Sequence, residues 1–138
     1  MKKYVRWIMT VAICCIIVVL VFISLRDEID LTGKCSCIVF SDCEGRKQRT
    51  VVSSEDTQTV AKLIDGHYLY QDSPSCGFSE RASIEISNER TTHVFYIASD
   101  GCPILYEPVF DRYVKLKESE MKSFIEILSG YGLKIPCV

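Results

Sequence analysis

The chain lacks the local text by which most enzymes announce themselves. It has no G-x-x-x-x-G-K-[ST], no G-x-G-x-x-G, no H-E-x-x-H and no G-x-S-x-G. These absences remove the phosphate-cradling loop, the dinucleotide fingerprint, the zinc-peptidase helix and the nucleophile elbow. No C-x-x-C opens a helix, as a thiol-redox motif of the thioredoxin type requires. Internal repeats and low-complexity tracts are also missing. Basic charge is scarce where a nucleic-acid binder needs it. The net charge is −2, and the first 26 residues hold Lys2, Lys3, Arg6 and Arg26 without an acid, so the remainder sums to −6. The one basic cluster, Arg46, Lys47 and Arg49, reads as a solvated face, and no nucleic-acid partner is expected.

What the chain does have begins at its N-terminus. Trp7–Leu25 carries no charged residue. As a helix rising ~1.5 Å per residue it covers about 28 Å, close to the ~30 Å hydrocarbon core. Lys2, Lys3 and Arg6 precede it, while Asp27, Glu28 and Asp30 follow soon after Arg26. The positive-inside rule then sets residues 1–6 in the cytoplasm and the rest outside. Trp7 stands where an interfacial aromatic belongs. A cleaved signal peptide is the competing reading, but Phe22-Ile23-Ser24 puts a bulky residue where a small one is needed. Val11-Ala12-Ile13-Cys14 resembles a lipobox except at Ile13, where a small residue is required. The expectation is a single-pass membrane anchor at 7–25, a stalk at 26–34 and an extracytoplasmic domain at 35–138.

Within that domain, Cys35–Phe40 and Arg49–Val52 read as strands of a hairpin around the turn-forming Asp42-Cys43-Glu44-Gly45. Ser53, with Asp56 three residues on, predicts a helix start. Val60, Leu63, Ile64 and His67 fall at helical spacing, with a stop near Asp65 and Gly66. Arg81–Ser87 alternates, with Ala82, Ile84 and Ile86 on one face, and turns at Asn88-Glu89 into Thr91–Ala98. Short extended pieces follow at Ile104–Tyr106 and Arg112–Leu116. Met121, Phe124, Ile125 and Leu128 lie at i, i+3, i+4 and i+7, one face of a helix ended by Gly130. The predicted class is α+β: a transmembrane helix, then a small antiparallel sheet with two helices on one face, in the order β-β-α-β-β-β-β-α.

Six cysteines lie beyond the anchor: Cys35, Cys37, Cys43, Cys76, Cys102 and Cys137. In a non-reducing space an even count fits a disulfide framework with 15 possible full pairings. Cys76 with Cys102 is the preferred pair, because each sits in a loop flanking the same strand pair, nearly equidistant from its turn. Cys37 and Cys43 offer a second, short loop, with Cys35 as an alternative to Cys37, and Cys137 would tie down the tail. Zinc is the functional alternative for Cys35, Cys37 and Cys43 with His67 or His93, but the spacing is not that of a ribbon or finger, and no cofactor or metal is expected. His67 at a helix end and His93 in phase with Phe95 read as structural. The acid pairs Asp42/Glu44, Glu55/Asp56 and Glu118/Glu120 fall at turns or helix starts, and no catalytic residue stands out.

The most distinctive text is Cys76-Gly77-Phe78 and Asp100-Gly101-Cys102, two loop segments beside strands and the candidate binding loops. With the strand pair before them and a last helix closing on Tyr131-Gly132, the stretch Arg49–Gly132 resembles small membrane-anchored or lipoprotein-like extracytoplasmic proteins of Gram-positive bacteria, whose function is unknown. It departs from them in lacking a lipobox and in carrying Cys35, Cys37, Cys43 and Cys137. The resemblance implies location and fold class only. The functional expectation is a membrane-anchored, non-enzymatic envelope module that binds a protein or peptide partner. The alternative is an extracytoplasmic metal-binding or thiol-dependent protein or enzyme.

Overall fold

The strict alternation at Ala82, Ile84 and Ile86 needs a buried surface on one side only, and an antiparallel sheet backed by helices supplies it. The computed structural model describes residues 2–24, 28–43, 45–72 and 74–135. Helix α1 spans Lys2–Ser24. Strands β1 (Ser36–Cys43) and β2 (Arg46–Val51) form a hairpin, followed by α2 (Ser54–Ile64). Strands β3 (Phe78–Ser87), β4 (Thr92–Ala98), β5 (Ile104–Glu107) and β6 (Arg112–Lys115) come next, and α3 (Glu118–Ser129) closes the domain. The six strands form one antiparallel sheet in the order β2-β1-β3-β4-β5-β6. The predicted α+β class and element order are therefore present.

One face of the sheet is the core. Cross-strand rows such as Val39–Ile84–Phe95 and Ile97–Leu105–Val114 are buried. They join Val60, Ala61 and Ile64 of α2 and Met121, Phe124 and Leu128 of α3 in one cluster. Ser53 caps α2 by accepting the Asp56 amide at 3.2 Å. Tyr131, just past α3, donates to Asp56 at 2.5 Å and accepts from the Ser53 amide at 3.3 Å, so the start of one helix is tied to the end of the other. At the start of α3, Glu120 accepts the Lys117 amide at 2.8 Å. That amide, and then the Lys117 ammonium, hold the Glu120 carboxyl below the usual range.

Three expectations change. The stretch read as a stalk packs from Glu28 onward: Ile29 and Leu31 are buried, and Glu28 bridges to Tyr68. The Ile29 amide donates to the His67 carbonyl at 2.9 Å, and the Leu31 amide to Asp65 at 2.8 Å. The short Cys37–Cys43 loop does not form, because both residues lie on the continuous strand β1, about 20 Å apart at ~3.3 Å per residue. The full six-cysteine framework fails with it: Cys35 and Cys37 are free, buried thiols, while Cys43 is not free. Cys137 lies outside the described residues.

Helix α1 coincides with the expected anchor up to Ser24; Leu25 lies outside the described residues. Among the described residues no helix is long and apolar enough to cross a membrane.

Candidate functional site

The face of the sheet opposite the helices carries aromatic rings where a solvated sheet usually carries polar groups. The register sets one row across all six strands: Arg49, Phe40, Ser83, Tyr96, Tyr106 and Tyr113. Tyr70 extends it, pairing with Tyr113 through two backbone hydrogen bonds of 2.9 Å. Phe78 enters from the start of β3, where an irregularity separates its pairing with Ala98 from that of Ser83 with Tyr96. Its ring lies 5.6 Å from Tyr106 and 5.7 Å from Tyr113. Tyr106 and Tyr113 are 5.0 Å apart, Tyr96 and Tyr106 5.9 Å, and Tyr70 and Tyr113 6.0 Å. At the far end the Arg49 guanidinium lies 5.5 Å from the centre of the Phe40 ring, within cation–π range.

These tyrosines are half-buried. Tyr106 donates to Asp111 at 3.1 Å, and this bond pushes the phenol up from its ordinary range, keeping it a donor. Asp111 adopts φ 52°, so the β5–β6 turn takes a left-handed kink beside the row. The same turn exposes Val109 (68%) and Phe110 (59%), adding apolar surface at the edge.

The candidate loops meet at one end of this face. Cys76 and Cys102 stand at disulfide distance, Cα–Cα 6.4 Å. The Ser99 amide and hydroxyl both donate to the Gly77 carbonyl, at 2.8 and 3.1 Å. A Cβ on Gly77 would meet the Ser99 hydroxyl at 3.0 Å, so a side chain here would press on that hydroxyl. Gly101 turns the chain at φ 78°, and Asp100 accepts the Cys102 amide at 3.2 Å. Asp100 therefore lies beside the two sulfurs, with one donor atom from each of the three residues within 4.8 Å of the others. Of the predicted loop residues, Cys76, Asp100 and Cys102 form this cluster, Gly77 and Gly101 shape it, and Phe78 joins the tyrosine row.

Among the described residues, the remaining candidates do not assemble into a site. His67 approaches Glu120 at 3.4 Å, a helix-end contact. His93 is buried against Phe95 and lies 3.5 Å from Glu107, whose other oxygen accepts the Phe110 amide at 2.9 Å. Cys35 donates to the Leu31 carbonyl at 3.1 Å. Burial pushes the Cys37 thiol up to about 12, helped by the neighbouring Cys35, and pushes Cys35 up as well. The thiolate is the nucleophile. At pH 8 the Cys37 thiol stays protonated. Iodoacetamide should therefore leave both thiols unmodified in the native protein and label them after unfolding. Rapid labelling at Cys35 or Cys37 of the native chain, read by peptide mapping apart from the exposed Cys14 and Cys15, would show that the inward face of β1 is not in the core.

No protein-family model, curated protein or solved structure matches this chain. Function must be read from the residues themselves. The tyrosine row was missed in the sequence because it depends on register, although seven tyrosines with Tyr96, Tyr106 and Tyr113 each in a strand were a usable signal.

Proposed function

We infer that this chain is a membrane-anchored, non-enzymatic module that binds a protein or peptide partner through the tyrosine-rich face of its sheet. The observation that carries the reading is the continuous row Phe40–Ser83–Tyr96–Tyr106–Tyr113, to which Phe78 and Tyr70 add rings. Tyrosine offers a broad apolar body and a polar tip, which is why it is enriched at protein interfaces. Neighbouring rings are tilted by 31–67°. This is a packed ridge, not a flat platform for stacking bases, and the acidic charge balance of the domain disfavours single-stranded nucleic acid.

The anchor is read from the sequence of α1 and the exposure of its apolar side chains. Trp7, Ile8, Met9, Val11, Ile13, Ile16, Ile17, Val18, Val19 and Leu20 are all exposed, so apolar side chains point outward around the helix. A helix that is apolar all round belongs in an apolar solvent. The uncharged sequence runs on to Leu25, long enough to span, and the basic flank orients the domain outward.

With the tagged full chain in its own membrane, protease added to intact protoplasts should remove the C-terminal domain and spare an N-terminal tag. In mild detergent the chain should migrate on a native gel as a complex larger than itself. Tyr106→Ala and Tyr113→Ala should each weaken that complex by about 2 kcal/mol, roughly 30-fold in Kd. A protected C-terminus would reverse the orientation, and a complex indifferent to both substitutions would remove the tyrosine face from the function.

A further inference from the structure

We propose that Cys76, Cys102 and Asp100 form a redox-gated site for a thiophilic divalent cation of the zinc class, closed when the two sulfurs are bonded and open when they are reduced. The donor set is two sulfurs and a carboxylate, with atoms within 4.8 Å of one another. A tetrahedral zinc with Zn–S of about 2.3 Å holds its sulfurs about 3.8 Å apart, which two cysteines at this Cα separation of 6.4 Å can reach by rotating their side chains. The fourth position would be left to water.

The site does not depend on the sulfur–sulfur bond for its shape. Both Ser99 hydrogen bonds to Gly77 and the Phe78–Ala98 pairing hold the two loops together by other means. The Cys102 amide holds one oxygen of Asp100 in place. Reduction therefore leaves two thiols side by side next to an oriented carboxylate. Within the domain, Cys76 and Cys102 are partly exposed and Asp100 is exposed, whereas Cys35 and Cys37 are buried; the free, exposed Cys14 and Cys15 lie on helix α1.

The chemistry balances with a dithiol reductant. Its first thiolate attacks one protein sulfur, the sulfur–sulfur bond breaks, and a mixed disulfide forms. The cysteine not attacked leaves in that first step, and the reductant's second thiol then closes the reductant's own disulfide and releases the attacked cysteine. The protein pair gains two electrons and two protons, and binding of the cation as a bis-thiolate releases those protons.

The test is a Co²⁺ titration of the detergent-solubilised full chain carrying Cys14→Ser and Cys15→Ser, which removes the exposed free thiols of α1, oxidised or reduced with a dithiol and desalted without air. The reduced chain should give a sulfur-to-cobalt charge-transfer absorption saturating at one equivalent, and the oxidised chain none. Asp100→Asn, at an exposed position that spares the fold, should weaken binding by at least ~10-fold, since even loss of an outer-shell partner costs ~10–100-fold. The Cys76→Ser/Cys102→Ser double variant should abolish the band. No band in the reduced chain overturns the proposal. So does a band that survives the double variant, or an Asp100→Asn titration that matches wild type.

Discussion

Phe124→Ala should destabilise the protein by about 3–5 kcal/mol, measured by urea denaturation of the full chain in detergent and followed by near-UV circular dichroism. Phe124 is fully buried on the inward side of α3, in the same cluster as Leu105 and Ile64. Removing its ring takes apolar surface out of the core and leaves a cavity that the sheet, fixed by its ladders, cannot collapse to fill. Total stability for a domain is ~5–15 kcal/mol, so the variant should be unfolded or close to it under mild denaturant. Glu126→Ala, on the exposed side of the same helix, should stay within ±0.5 kcal/mol of wild type. Equal tolerance of both changes would mean that α3 does not pack through Met121, Phe124 and Leu128.

The second large effect is expected at Cys76 and Cys102. A crosslink over a sequence separation of 26 removes chain entropy from the unfolded state worth about 3.5 kcal/mol. Cys76→Ser and Cys102→Ser should therefore destabilise by similar amounts, and the double variant should be little worse than either. Non-reducing peptide mapping should find one fragment joining the two residues. Additive losses, or free alkylation of both thiols in the folded oxidised chain, would show that the bond is not made.

Both sites were legible in the sequence because their signals are local. The helical period of Met121, Phe124 and Leu128 marks a buried face wherever the helix docks. The near-symmetry of Cys76 and Cys102 about the Asn88-Glu89 turn follows from hairpin geometry. The parts that were not legible depend on partners far along the chain. Ile29 and Leu31 alternate with Glu28 and Asp30, and only the return of Asp65–His67 beside them turns a polar-looking stalk into a packed segment. Strand β1 runs on to Cys43 because Ser41, a buried polar residue, continues its inward phase. Its small hydroxyl hid the alternation and made the hairpin turn look longer than it is. The tyrosine row is the clearest case. Tyr96, Tyr106 and Tyr113 are far apart in sequence, and only the register of β4, β5 and β6 aligns them.

The central claim is that this open face is where the partner sits. Its most direct test is site-specific photocrosslinking in the native membrane, with a benzophenone amino acid placed at Val94, two residues from Tyr96 on the tyrosine face, or at Glu126 on the exposed side of α3. One discrete protein adduct is expected from Val94, lost when Tyr106→Ala is added, and none from Glu126. No adduct from Val94, or the same adduct from Glu126, would contradict it.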